Sequence, residues 1–181
     1  MKAMILAAGF GKRLGHLTQN TPKPLIQVKG KALIDYHLEK LIKSGFETVV
    51  INLHYLGEQI EEHITSNFSG KIKIIFSHEK EILGTCGGIL NAIDHFGNDD
   101  FLVLNADIFS DIDYVYFEKF KAPTIFAVKN DKNGDFSIKN EKVIVQGEKN
   151  FTWTGFSIIN SSFFQGMETK YSDYWEDLMI H

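Results

Sequence analysis

A short glycine-containing segment near the start of the chain combines flexible backbone with positive charge. Gly9 and Gly11 have no side chain that would keep backbone N–H groups away from anionic oxygens. Lys12 and Arg13 follow directly, and an arginine guanidinium can hold a phosphate through two parallel hydrogen bonds. These residue types, in this order, predict a loop that binds phosphate groups.

A lysine fixed between two prolines follows this loop along the chain. Lys23 lies between Pro22 and Pro24, and each proline restricts the backbone beside it. A lysine held in this way suits contact with a reacting phosphate better than contact with solvent. A tight turn with incidental cations is the simpler explanation of the two glycines alone, but it gives no reason for the fixed lysine.

Two better-known glycine motifs do not fit the segment. A dinucleotide-binding loop needs a third glycine at the position of Leu14. A P-loop needs Ser or Thr directly after its lysine, whereas Arg13 follows Lys12 here. The loop is therefore predicted to bind phosphate in a different structural setting.

An acidic side chain is expected to face this loop. Asp107 follows an apolar run that ends at Asn105, and ligands of α/β sheets bind at the carboxyl ends of such strands. A carboxylate there offers the hard oxygen ligand that Mg²⁺ requires. The alternative is that Asp107 only caps the following turn, while Asp111 and Asp113 are interpreted as solvated turn residues.

A second glycine cluster, residues 83–89, opens a predicted helix. Its Cys86, the single cysteine, is interpreted as a packed small side chain, because no His or Asp arrangement supports a nucleophile. His78 and Glu79 precede the cluster and belong either to a ligand pocket or to a surface loop. The seven histidines show no metal-binding spacing, so no zinc site is predicted.

The elements that must position these residues alternate along the chain. Strands are predicted at 3–8, 48–53, 71–77, 101–105, 124–128, 142–145 and 152–159, and helices at 31–44, 56–64, 84–96 and 171–180. This order predicts an α/β three-layer sandwich with a mostly parallel sheet and a strand-rich second half.

Composition limits the partners and the location of the protein. The chain has 181 residues, 44% of them hydrophobic, which fits one globular domain with one large core. Its net charge of -4 gives no basic surface for nucleic acid, so positive charge must be concentrated in a site. With no signal peptide or membrane-spanning run and one cysteine, we expect a cytoplasmic protein without a membrane partner.

The motifs together resemble the signature of the sugar-phosphate nucleotidyltransferase family. Residues 6–25 are similar to its pattern L-A-A-G-x-G-x-R-[ML] followed by P-K-P-[LM], and residues 83–89 are similar to L-G-T-A-G-G-[IL]. The resemblance is closest to the N-acetylmuramate-1-phosphate uridylyltransferase branch. It implies a Rossmann-like nucleotide-diphospho-sugar transferase fold, with a nucleoside triphosphate (UTP favoured) and a sugar 1-phosphate as the molecules bound.

The resemblance also implies roles for individual residues. Catalysis is expected from Arg13, Lys23 and Asp107, with Asp107 as the ligand of Mg²⁺. Nucleotide contacts are expected from Ala8, Gly9, Gly11, Lys12, Arg13, Lys23 and Gly87. Substrate contacts are expected from Asn105, Asp135 and Gly155, the last two of which are equally well explained as turn residues.

The family pattern is not completed in this sequence. Relatives carry a W-x-D-x-G-T element, and its Asp is a second metal ligand; residues 175–177 lack the Gly-Thr and are not taken as a substitute. We expect one domain, with a nucleotide-binding part at 1–113 and a sugar-phosphate-binding part at 114–181 that is incomplete at its C-terminus. Two alternatives remain: guanylyl or thymidylyl transfer to mannose-, heptose- or glucose-1-phosphate, and a nucleotide-sugar-binding module with impaired catalysis.

Overall fold

The computed structural model describes residues 1–173. The strands are β1 (Lys2–Leu6), β2 (Gln27–Val28), β3 (Lys31–Ala32), β4 (Thr48–Leu53), β5 (Lys73–His78), β6 (Phe101–Asn105), β7 (Thr124–Lys129), β8 (Ser137–Lys139), β9 (Lys142–Ile144) and β10 (Phe151–Ile159). The α-helices are α1 (Leu33–Lys43), α2 (Gly57–Phe68) and α3 (Gly84–Asn91). Short 3-10 helices occupy Lys12–Thr18, Lys23–Leu25, Ile93–His95, Tyr114–Lys119 and Ser161–Phe164.

The main sheet brings the predicted site residues to one edge. Its strand order is β5-β4-β1-β6-β10-β7, and the four strands from β5 to β6 are parallel, whereas β10 is antiparallel to both of its neighbours. Leu6 at the end of β1 pairs with Asn52 of β4 and with Asn105 of β6. The carboxyl ends of these strands therefore lie side by side, which confirms the predicted mostly parallel sheet.

Helices cover both faces of this sheet because successive strand residues point in opposite directions. Ala3 and Ile5 of β1 belong to a core that includes residues of α1 and α2, such as Leu38 and Ile64. Met4, between them, belongs to a second core that includes residues of α3. The predicted three-layer arrangement is thus confirmed.

Two predicted elements end earlier in the structure than in the sequence-based prediction. The strand predicted at 3–8 ends at Leu6, because the Ala7 N–H donates to the side chain of Asn52 at 2.8 Å instead of continuing a backbone ladder. The helix predicted at 84–96 ends at Asn91 and is followed by the 3-10 helix Ile93–His95.

Other predictions concern chain segments at the limits of what the structure describes. A helix is predicted at 171–180, but residues 171–173 are not helical. The rest of that helix, including residues 175–177, lies outside the described residues. Among residues 1–173, no helix has the length and apolar character that crossing a membrane requires.

Cys86 is fully buried in the core around α3, in agreement with its interpretation as a packed side chain.

Candidate active site

A cleft with two adjoining lobes opens at the carboxyl edge of the parallel strands. The first lobe has a volume of about 210 Å³ and is lined by Leu6, Ala7, Gly9, Gly11, Lys12, Arg13, Lys23, Pro24, Ala106 and Asp107. The second lobe, of about 290 Å³, is lined by Leu6, Ala8, Gly9, Arg13, Asn52, Ile82, Gly84, Thr85, Asn105 and Asp107. The structure therefore brings together most of the residues that the sequence assigned to phosphate and nucleotide binding.

The loop after β1 presents backbone donors to the cleft. Within residues 1–173, no acceptor meets the N–H groups of Gly9, Phe10 or Gly11. The loop is held by other contacts. The Phe10 ring packs against the Tyr55 ring with their centroids 5.4 Å apart, and the Tyr55 hydroxyl donates to the carbonyl of Thr18 at 3.0 Å. These three N–H groups consequently remain available to anionic oxygens of a ligand.

Lys23 is fixed as the two prolines predict. Pro22 and Pro24 are buried, and the Leu25 N–H donates to the Pro22 carbonyl at 2.9 Å, which closes a tight turn. The side chain of Lys23 lines the first lobe and forms an ion pair with Asp107. A cation and a carboxylate 84 positions apart in sequence thus meet inside the cleft.

Positive charge predominates in the first lobe. Lys12, Arg13 and Lys23 line it together with a single carboxylate, Asp107, although the whole chain has a net charge of -4. A concave site lined by one sign of charge attracts ligands of the opposite sign. The lobe is therefore suited to several adjacent anionic oxygens, such as those of a triphosphate.

A buried polar network lies beside the second lobe and was missed by sequence reasoning. Glu79 is buried and accepts hydrogen bonds from the Asn52 side-chain amide at 2.7 Å and from the Leu83 N–H at 3.0 Å. Asn52 in turn accepts the hydrogen bond from Ala7. The network joins the loop after β1 to the start of α3, and the burial of Glu79 rules out a surface-loop position for it. Polar residues at or directly after the carboxyl ends of strands were the available signal.

Exchanging the two polar groups tests this network. Asn52→Asp places two carboxylates together. Glu79→Gln places a new amide donor against one of the two donors that Glu79 accepts from, the Asn52 amide or the Leu83 N–H. Each single substitution should therefore lower the unfolding free energy by about 1–3 kcal/mol. The double substitution restores an acceptor for every donor. We expect thermal unfolding of the double variant to approach that of the native chain, whereas additive losses would contradict the network.

Gly87 does not line either lobe. A β-carbon at Gly87 would collide with the backbone oxygen of Lys170, so glycine is needed there for close packing. The neighbouring Cys86 N–H donates to the Ser172 carbonyl at 3.1 Å. Nucleotide contact by Gly87 stays a prediction, while Gly84 at the start of α3 lines the second lobe.

The residues predicted to bind the sugar phosphate differ in their relation to the cleft. Gly155 has a φ of +85°, and a β-carbon there would lie 3.3 Å from Asn105 Nδ2 and 3.0 Å from Ile108 Cγ2. Gly155 therefore lies against Asn105, at the margin of the second lobe. Asp135 lines neither lobe and accepts a hydrogen bond at 3.0 Å from the N–H of Trp153, which precedes Gly155 by two residues on β10. Substrate binding by these residues stays a prediction.

The fold and the cleft define a class of protein. A family model described as Nucleotidyl transferase matches residues 2–143. The chain belongs to this family, and the resemblance seen in its motifs is confirmed. Its enzyme class is that of the sugar-1-phosphate nucleotidyltransferases.

Three known proteins show the similarity in detail. N-acetylmuramate alpha-1-phosphate uridylyltransferase of Neisseria meningitidis is 37% identical over 182 residues, with 93% of this chain and 79% of that protein covered. D-glycero-alpha-D-manno-heptose 1-phosphate guanylyltransferase of Campylobacter jejuni is 32% identical, with 82% of this chain and 68% of that protein covered. The crystal structure of HddC from Yersinia pseudotuberculosis has the same fold, with a TM-score of 0.81, 23% identity, and 99% and 85% coverage.

Proposed function

We propose that the chain transfers the uridylyl group of UTP to N-acetylmuramate 1-phosphate and releases pyrophosphate. The choice of substrates is supported by similarity to the Neisseria uridylyltransferase over 93% of this chain. The single observation that carries the reaction type is the first lobe, where Lys23 and Asp107 meet beside the open N–H groups of the loop after β1. We further propose a cytoplasmic enzyme of peptidoglycan recycling.

The reaction needs charge neutralisation and alignment rather than proton transfer. A sugar 1-phosphate is already an oxyanion, so no general base is required. One of its oxygens forms a bond to the α-phosphorus of the triphosphate. The bond from that phosphorus to the oxygen it shares with the β-phosphorus breaks, and its electron pair leaves with pyrophosphate. The barrier comes mainly from repulsion between anions and from the in-line geometry.

The residues of the first lobe are proposed to share this work. The N–H groups from Gly9 to Gly11, with Lys12 and Arg13, would hold the β- and γ-phosphates that depart as pyrophosphate. Lys23 would lie against the phosphate oxygens between the two reactants. Since its backbone is held by two buried prolines and its ammonium is paired with Asp107, Lys23 needs little reorganisation when charge develops.

Asp107 is the proposed ligand of Mg²⁺. Its carboxylate is 30% exposed and lines both lobes, so a hard oxygen faces the position of the phosphates. No group of three or more His, Cys, Asp or Glu side chains within residues 1–173 could hold a metal ion by itself. Phosphate and water oxygens would therefore supply further ligands, and the bound ion would neutralise phosphate charge.

Guanylyl transfer to a heptose 1-phosphate is the second candidate. It is supported by the 32% identity to the Campylobacter guanylyltransferase, which also extends over most of this chain. The cleft residues Lys23 and Asp107 serve either reaction, because they lie where phosphates rather than bases would bind. Thymidylyl transfer and a nucleotide-sugar-binding module remain the further alternatives.

A substrate panel tests the proposal. Pyrophosphate release is measured with UTP, GTP, CTP and dTTP, each combined with the 1-phosphates of N-acetylmuramate, N-acetylglucosamine, heptose, mannose and glucose. We expect the highest kcat/KM for UTP with N-acetylmuramate 1-phosphate. Preference for GTP with heptose 1-phosphate would favour the second candidate. Triphosphate binding without turnover for any pair would contradict both and favour the binding module.

A further inference from the structure

Helix α1 contacts the chain segments next to the two charged residues that pair in the cleft. At its start, the Leu33 N–H donates to the Ile26 carbonyl at 3.1 Å, directly after the turn that carries Lys23. Further along the helix, His37 and Lys40 reach the segment that follows Asp107. One rigid element thus contacts the neighbourhoods of both members of the ion pair in the cleft.

His37 is the buried centre of this support. It is 1% exposed, and its Nδ1 lies 2.6 Å from the hydroxyl of the equally buried Tyr114. Burial lowers the pKa of His37 to about 4, whereas the backbone carbonyls of Ile108 and Ala106 and the charge of Asp107 act in the opposite direction. The imidazole is therefore neutral near pH 7, and the loop around Asp107 lies close to its ring.

The hydrogen-bond roles of the pair follow from this environment. A neutral imidazole donates from one nitrogen and accepts at the other. Burial raises the pKa of Tyr114, so its hydroxyl keeps its proton and can donate to Nδ1 of His37. The ring proton then lies on Nε2, a buried atom without a hydrogen-bond partner of regular geometry within residues 1–173. Nε2–H is accordingly the ring donor that faces the nearby backbone carbonyls of Ala106 and Ile108.

We propose that His37 is a positioning residue for Asp107. Together with Tyr114, His37 fixes the backbone of residues 106–108 and so directs the Asp107 carboxylate into the cleft. The proposal rests on the role proposed above for Asp107. Lys40 holds the chain that follows residues 106–108, since its ammonium donates to the carbonyl of Ser110 and to that of Ile112, the latter at 3.0 Å.

Three variants separate this role from plain stability. Tyr114→Phe removes only the hydroxyl, and His37→Leu removes both ring nitrogens. We expect Tyr114→Phe to lower kcat about tenfold, with the KM for the triphosphate within about twofold, because misplacing a reacting group slows chemistry more than binding. Amide hydrogen exchange at residues 105–108 of the free protein should quicken about tenfold. The double variant should lose no more than His37→Leu alone, since both changes break one contact.

Tyr36→Phe is the matched control on the same helix. Its hydroxyl donates to the Val28 carbonyl at 2.7 Å, and its ring, which packs against Phe109, is retained. The control should leave kcat and exchange at residues 105–108 as in the native chain. Native exchange there in Tyr114→Phe, or equal effects in both variants, would overturn the proposal. If the native chain turned over no substrate pair, the proposed function would fail, while the exchange measurement would still decide the contact between His37 and the loop.

Discussion

Lys23→Ala is expected to lower kcat about 10³-fold, equivalent to about 4 kcal/mol of transition-state stabilisation. The ammonium group lies in the first lobe with its backbone held by two buried prolines. Removing it leaves phosphate charge unneutralised where the new bond forms. Thermal unfolding should change little, because the ion pair with Asp107 is partly exposed and such pairs contribute about 0–1 kcal/mol. The measurement is pyrophosphate release at saturating substrate.

Two further variants control this result. Lys23→Arg keeps the positive charge but replaces a compact ammonium with a planar fork, so an intermediate loss is expected. Lys73→Ala removes an exposed lysine at the start of β5, on the opposite edge of the sheet from the cleft, and should leave kcat unchanged. Turnover of Lys23→Ala close to that of the native chain would contradict the role of this residue.

Asp107→Asn is expected to lower kcat by about 10²–10³-fold and to raise the Mg²⁺ concentration needed for half-maximal rate. The substitution keeps the shape of the side chain but removes the charge that a divalent cation requires. Initial rates are measured over a range of Mg²⁺ concentrations at fixed, saturating substrates.

Asp111→Asn is the matched control for this prediction. Asp111 is an exposed carboxylate in the same segment after β6 and does not line either lobe. It should show the rate and the Mg²⁺ dependence of the native chain. If Asp107→Asn behaved in the same way, Asp107 would be a turn residue only, as the alternative interpretation of the sequence holds.

Continuous apolar runs predicted the central strands accurately. The runs at 48–53 and 101–105 match β4 and β6 residue for residue. Strands buried on both faces carry apolar residues at most positions on both sides, so their limits are visible in the sequence. The carboxyl ends of these strands also located the loop after β1 and Asp107 on one edge.

Several short elements escaped prediction because tertiary contacts form them. β2 and β3 have two residues each, β8 has three, and none is long enough to show a periodic pattern. The 3-10 helix Lys12–Thr18 depends partly on the Thr18 hydroxyl, which donates to the carbonyl of Gly11 at 3.0 Å.

Contacts between distant residues were also beyond the sequence. His37 and Tyr114 lie 77 positions apart, and Asn52 and Glu79 lie 27 apart. Neither pair has a motif, because each consists of polar groups that satisfy one another only after the strands have packed. The carboxylate of Asp135 likewise accepts a hydrogen bond from the backbone of Trp153, 18 positions away, while its substrate contact stays a prediction from the family resemblance.

The path of isotopic oxygen tests the central claim most directly. N-acetylmuramate 1-phosphate labelled with ¹⁸O in its phosphate is incubated with UTP, Mg²⁺ and the enzyme, and the products are examined by ³¹P NMR and mass spectrometry. Attack on the α-phosphorus predicts that all of the label remains in the nucleoside-diphosphate sugar, with unlabelled pyrophosphate released. Label in pyrophosphate or inorganic phosphate, or no diphosphate sugar with any substrate pair, would contradict nucleotidyl transfer.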